Sequence, residues 1–487
     1  MRHAFALALI CALLLSACRR MIDPAFQQPT GYPPAVEKII TTNCATTGCH
    51  TPGGSVNAAS LDLSTLEGLL RGGVSGAVVV PYSVDQSSLF QFINIYEDLG
   101  LRATPTMPIN RSPLSRADVI ALRDWIATGC PSASGEIPFS TYPESRGKAY
   151  ISNQGCDLVS VVDAETRLVM RYVKVGHDAQ ITELPHCLRV SPDGRYWYVC
   201  YTNGQYVQKF DAVSDTLVDE VFVGPGGWNI LKISPDSRYA YVSDFTSNGK
   251  LVEVDLATMT IRKTLYSPGL FEYPHGIAYS RTQDTVYVTA QYGNMIYRIM
   301  PGIPKIDKIS LQPGQAPVTT QQLLDPHEIL MSPDYSRYFI TCQASNELRV
   351  MDARADTLLK VIPMGTYPLE FSISAKKNRL YVVCQEEANP VYPGFKGSVH
   401  VVNLNTLTVE KVLYERFYQP HGIAVDDKRG LLYVASRNAD PTGPAPHHIS
   451  VCNGRNGFFH VIDLESYETV KRSSELSVDP YSLDVRE

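Results

Sequence analysis

The sequence predicts a mainly β protein, a seven-bladed β-propeller preceded by a small all-α domain. Three observations carry this. A short strand pattern recurs seven times between residues 144 and 487. The last strand of the chain has the pattern that the first repeat lacks. Ahead of the repeats, helical periodicity and a paired-cysteine motif replace the strand pattern.

The recurring unit reads Tyr150-Ile151-Ser152-Asn153, Tyr198-Val199-Cys200-Tyr201, Tyr241-Val242-Ser243-Asp244, Tyr287-Val288-Thr289-Ala290, Phe339-Ile340-Thr341-Cys342, Tyr381-Val382-Val383-Cys384 and Tyr433-Val434-Ala435-Ser436. Its interval of 42 to 52 residues is the size of one four-stranded blade. Turn signals such as Ser191-Pro192-Asp193-Gly194, Ser234-Pro235-Asp236 and Ser332-Pro333-Asp334 precede several copies. A further strand follows each copy, often ending in Asp or Asn: Asp163, Asp211, Asp255, Asp352, Asn403 and Asp463. The fourth copy has Met300-Pro301 instead. The 28 tyrosines suit strands, and the 33 glycines and 33 prolines suit many turns. These units resemble the YVTN family of β-propellers over about 144–487.

The ends agree. Blade one starts at its second strand, near Lys148, and Asp479-Pro480-Tyr481-Ser482-Leu483-Asp484-Val485 matches the inner-strand pattern of Leu184-Pro185-His186-Cys187-Leu188-Arg189-Val190. The C-terminal strand is therefore expected to complete blade one and close the ring, leaving few free strand edges.

In the helical domain, expected over 37–131, the decisive stretch is Cys44-Ala45-Thr46-Thr47-Gly48-Cys49-His50. Two thiols followed directly by a histidine is the arrangement that attaches a c-type haem. Each sulfur adds to a vinyl group and the imidazole becomes the proximal iron ligand. The usual spacing places two residues between the cysteines, and here there are four. A small disulfide beside a histidine is the other arrangement these residues permit.

Downstream stand Leu61-Asp62-Leu63-Ser64, Leu69-Leu70-Arg71-Gly72-Gly73, Val80-Pro81, Ser87-Ser88-Leu89, Met107-Pro108 and a helical run from Leu114 to Trp125-Ile126. This resembles the planctomycete-type cytochrome c domain. The resemblance implies one covalent c-type haem, with Met107 as distal ligand opposite His50. Thioether ligation raises the haem potential, which suits electron transfer.

Residues 1–17 read as an export signal: Arg2 and His3, then an apolar run from Ala4 to Leu15 too short to span a bilayer. Leu15-Ser16-Ala17-Cys18 resembles the bacterial lipobox, which implies lipidation of Cys18 and a membrane-surface anchor. The expected location is the periplasmic side of a bacterial membrane or the cell surface. Residues 18–36 read as a tether and 132–143 as a linker between the domains.

Pro185-His186, Pro274-His275, Pro326-His327 and Pro420-His421 open four inner strands, with Asn229, Leu369 and Tyr481 at the equivalent positions elsewhere. These residues are expected to ring one mouth of the central channel. His177, and His447 and His448 in a long blade-seven insertion that also carries Cys452, are expected on the same face. His400 and His460, at matching strand positions, are expected to be packing residues. The ring has two readings: a site for a metal or second cofactor, or a structural repeat in which each imidazole satisfies backbone. Propeller proteins with a fused cytochrome c include a type carrying a second haem on the propeller.

Among the cysteines, Cys187 and Cys200 flank a turn almost symmetrically, and Cys342 and Cys384 occupy one position in adjacent blades; pairing stays open. A formal charge of −6 argues against nucleic acid as a partner. The sequence carries neither a Gly-rich phosphate loop nor a nucleophile elbow. The functional expectation is a haem-c electron-transfer lipoprotein whose propeller is a docking or recognition platform for a redox partner protein. An oxidoreductase with a metal or second cofactor at the channel mouth, and a non-catalytic surface-binding propeller, are the alternatives.

Overall fold

A computed structural model of the chain describes residues 29–140, 146–302, 305–320, 323–470 and 474–487. The expected signal over 1–17 and the lipid acceptor Cys18 lie outside the described residues.

The helical domain packs α1 (Pro34–Asn43) against α4 (Arg116–Ala127), with the short helices α2 (Leu66–Arg71) and α3 (Ser88–Ile93) between them in sequence. Pro34 opens α1 at the position where a missing N–H costs nothing. Ser115 caps α4 by accepting the Asp118 N–H at 3.2 Å. Val119, Leu122, Trp125 and Ile126 face the domain core. Tyr32 is buried edge-on against Trp125, ring centroids 6.3 Å apart, and its hydroxyl donates to the Leu63 and Thr65 carbonyls. Packing thus begins within the stretch expected to be tether.

The remainder forms seven four-stranded antiparallel sheets arranged in a ring. Blade one is closed by the chain end. Pro480–Arg486 pairs with Lys148–Asn153, with Tyr150 opposite Asp484 and Ile151 opposite Leu483. Outer strands such as Leu217–Phe222 and Thr260–Leu265 are largely solvated, whereas second strands such as Val286–Ala290 and Leu431–Ser436 are buried throughout.

The recurrent sequence signals have physical jobs here. The carboxylates ending the third strands cap the turn to the outer strand: Asp211 accepts the Val213 and Ser214 N–H groups at 3.0 and 2.7 Å. Asp255, Asp352, Asn403 and Asp463 repeat that geometry in their own blades. In the Ser-Pro-Asp turns, Ser332 donates to Asp334 at 2.6 Å, and this bond, with those from Ser336, holds the Asp334 carboxyl down at about 2.

Every inner strand carries a register shift beside its ring position, as between Pro274 and Ile277 or Pro326 and Ile329. Such bulges re-aim side chains. Gly276 is required by crowding: a Cβ there would stand 2.8 Å from the His327 carbonyl oxygen of the neighbouring inner strand.

Candidate functional site

Helix α1 ends in Cys44, whose N–H donates to the Ile40 carbonyl at 2.8 Å. The chain then folds back on itself. The Cys49 N–H meets Thr46 O at 2.9 Å, and the His50 N–H reaches Cys44 O at 3.3 Å. Gly48 supplies the left-handed residue this turn needs, at φ +81°. The four-residue spacer is therefore taken up inside a closed turn, and Cys44, Cys49 and His50 line one cavity. Burial, with Cys49 nearby, pushes the Cys44 thiol up to about 11.

His50 Nδ1 lies 3.2 Å from the Leu61 carbonyl oxygen. Donation there leaves the Nε2 lone pair for a metal, the usual way an outer hydrogen bond orients a ligand imidazole. Burial lowers the His50 pKa, which keeps the imidazole in the neutral, ligating form. Met107 lines the same cavity, its N–H held by the Phe92 carbonyl at 2.8 Å.

The cavity measures about 410 Å³ and is walled by Leu61, Val78, Leu89 and Ile93. That falls within the roughly 300–1,000 Å³ of small-molecule and cofactor sites. Two thiols, an oriented imidazole, a thioether and apolar walls are the donor set and lining that a c-type haem needs.

The propeller supplies part of the wall. His447 and His448 line the cavity, with ring centroids 5.4 and 6.5 Å from Phe92. The Glu475 carboxylate accepts both their backbone N–H groups, and Gln91 exchanges hydrogen bonds with Ile449 at 3.3 Å in each direction. Val80 of the helical domain packs among propeller residues including Leu476.

Residues 47–102 match the Planctomycete cytochrome C family model. The helical region is a cytochrome c domain. The match includes Cys49 and His50; Cys44 precedes it and Met107 follows it. No curated protein matches the chain. Among solved structures, a functionally unknown protein from Desulfotomaculum acetoxidans is 14% identical, with a TM-score of 0.51 over 68% of this chain and 99% of its own. Kuenenia stuttgartiensis hydrazine synthase is 17% identical, TM-score 0.42, over 63% and 99%. The dihydro-heme d1 dehydrogenase NirN in complex with DHE is 13% identical, TM-score 0.48, over 92% and 98%.

The histidines expected on one face separate into three places. His186, His275, His327 and His421 do converge at the channel mouth, joined by Tyr481. His177 stands apart, stacked on Tyr206 with Nδ1 2.6 Å from Glu220. His447 and His448 belong to the cytochrome cleft. The adjacent pair in a long insertion was the available signal for that role, but a sequence does not show which domain an insertion reaches.

His460 packs against Phe417, and its Nε2 lies 3.2 Å from Ser436 Oγ. His400 does more than pack: its Nε2 lies 2.7 Å from Glu387 Oε1, beside Cys384.

The disulfide is Cys156–Cys452, which ties the blade-seven insertion to blade one. Cys187 does face Cys200 in register, yet both are free thiols, as are Cys342 and Cys384. Among the described residues, no helix is long and apolar enough to cross a membrane.

Proposed function

We propose that the chain is a one-haem electron-transfer protein in which the propeller covers the cytochrome cleft and serves as the docking platform for a redox partner protein. The observation that carries this is the convergence of Cys44, Cys49, His50 and Met107 on one cavity whose remaining wall is a propeller loop. When bound there, a c-type haem supplies a single-electron couple.

In this reading the chain's own residues divide the work. Cys44 and Cys49 would hold the macrocycle by thioether bonds, and His50, oriented by the Leu61 carbonyl, would bind its iron. Met107, which lines the same cavity, would supply a thioether ligand, and such ligation favours the reduced state. The apolar walls exclude water, and lower dielectric around such a site favours the state of smaller charge. His447, His448 and Phe92 close the side that faces the propeller, so a partner approaching there meets blade seven before the cofactor. Export and anchoring through a lipid on Cys18 belong to the same proposal, since c-type haem is attached outside the cytoplasm.

The test is an optical spectrum, oxidised and reduced, of full-length protein made with haem-maturation machinery. One covalent haem per chain with a methionine-to-iron charge-transfer band, lost in Met107→Ala, is the expected result. Absence of covalent haem would overturn the reading.

A further inference from the structure

The histidine ring is two half-rings with different chemistry. In one half, His421 and His186 flank Tyr481 at ring distances of 3.7 and 4.3 Å. His186 Nδ1 is 3.0 Å from the Gln154 amide nitrogen. These imidazoles join blade to blade, as the structural reading of the repeat expects.

The other half is built differently. His275 and His327 stand with ring centroids 4.1 Å apart, and Glu328 joins them. Glu328 departs from the repeat: blades four and seven read Pro274-His275-Gly276 and Pro420-His421-Gly422, and blade five reads Pro326-His327-Glu328. On a regular strand, neighbouring side chains point to opposite faces. The register shift between Pro326 and Ile329 breaks that alternation, and the carboxylate reaches the place where the two imidazoles meet.

The donor atoms of these three residues all lie within 4.8 Å of one another. His275 Nδ1 is 3.4 Å from Glu328 Oε1, yet neither atom makes a hydrogen bond, and His327 Nδ1 makes none either. The residues are 5%, 3% and 8% exposed for His275, His327 and Glu328. Buried polar atoms without partners are uncommon and call for one. Two ligands on a tetrahedral ion with bonds of about 2.0–2.1 Å stand roughly 3.4 Å apart.

Their backbone is held from the preceding blade. Ser243 donates to the His275 carbonyl at 3.3 Å, and Thr289 to the His327 carbonyl at 2.8 Å.

We propose that His275, His327 and Glu328 bind one divalent first-row transition ion at the mouth of the propeller channel. Two imidazoles and one carboxylate suit zinc or iron(II) and leave coordination positions open to water or a ligand. This site is separate from the cytochrome cleft.

The experiment uses full-length, haem-loaded protein stripped with a chelator, titrated with Zn²⁺ and desalted before zinc counting. Retention of one zinc per chain is expected, with at least a tenfold weaker affinity in His275→Ala, His327→Ala and Glu328→Gln. His186→Ala, whose imidazole is already engaged by Gln154, should bind as the parent does. Glu328→Gln preserves shape, so it reads the site even if a histidine variant fails to fold. A parent chain that retains no zinc overturns the proposal, as does full binding by Glu328→Gln or equal loss in His186→Ala. Failure of the maturation step to give covalent haem, with zinc still retained by His275, His327 and Glu328, would sink the electron-transfer reading and leave this one standing.

Discussion

Phe92, on a short helix of the cytochrome c domain, packs 5.4 Å from the imidazole of His447 in blade seven. The contact makes the propeller a wall of the cytochrome cleft. Glu475 holds the backbone of His447 and His448, and Cys452, four residues further on, is bonded to Cys156 of blade one. The wall is thus tied to the propeller at two points.

Loosening that wall should change the redox site without removing it. In haem-loaded protein, Cys452→Ser and the double variant His447→Ala/His448→Ala should keep covalent haem and lower its midpoint potential, because water reaching the cleft favours the more charged oxidised state. For a one-electron couple, each kcal/mol of that effect is roughly 40 mV. Potentiometric titration reads the shift; an unchanged potential in both variants would mean the loop does not shield the cleft.

Ring closure should be indispensable. Deleting 480–487 removes the strand that pairs with Lys148–Asn153 and exposes the buried Ala149 and Ile151 edge. Loss of the cooperative unfolding transition, with rapid proteolysis of the propeller, is expected; a truncated chain melting like the parent would contradict closure by this strand.

At the junction of blades one and two, Lys148 Nζ meets Asp215 at 2.8 Å, both side chains fully buried, and Tyr150 donates to the same carboxylate at 3.1 Å. Burial pushes the Lys148 pKa down and the Asp215 pKa up, against their mutual attraction. Removing one partner leaves a buried charge uncompensated, so Asp215→Ala should cost about 3–5 kcal/mol. Denaturant unfolding measures it, and replacing both residues with apolar ones should recover much of the loss.

His460 provides the pH prediction. It is 1% exposed, and burial lowers its pKa to about 3. The unfolded chain takes up this proton near the ordinary histidine value of about 6.5, while the folded chain does so only near 3. Between those values the unfolded state binds more protons, so stability falls as pH drops, by up to about 1.4 kcal/mol per unit. His460→Gln should flatten that part of the stability profile; an unchanged slope between pH 6 and 4 would show that other groups set it.

The repeats were legible in the sequence because a blade is a local object. Tyr433-Val434 must alternate, Asp211 must cap its turn, and Pro185-His186 must open an inner strand, whichever blade it is in. Cys44, Cys49 and His50 were legible for the same reason, since a six-residue separation forces proximity. The packing of Tyr32 on Trp125 was not, because nothing local in 29–33 separates a buried aromatic from one in a tether.

The sequence by itself determined the blade count, the closing strand, and the cluster of thiols and imidazole that one turn brings together. Only the tertiary structure decided which distant residues complete each site. His447 reaches the cytochrome cleft, Cys452 bonds Cys156, and Glu328 joins His275, because the closed ring sets blade against blade and the inter-domain packing places one loop. Those separations depend on the sum of many packed contacts, whereas strand alternation and a six-residue turn depend on backbone geometry alone.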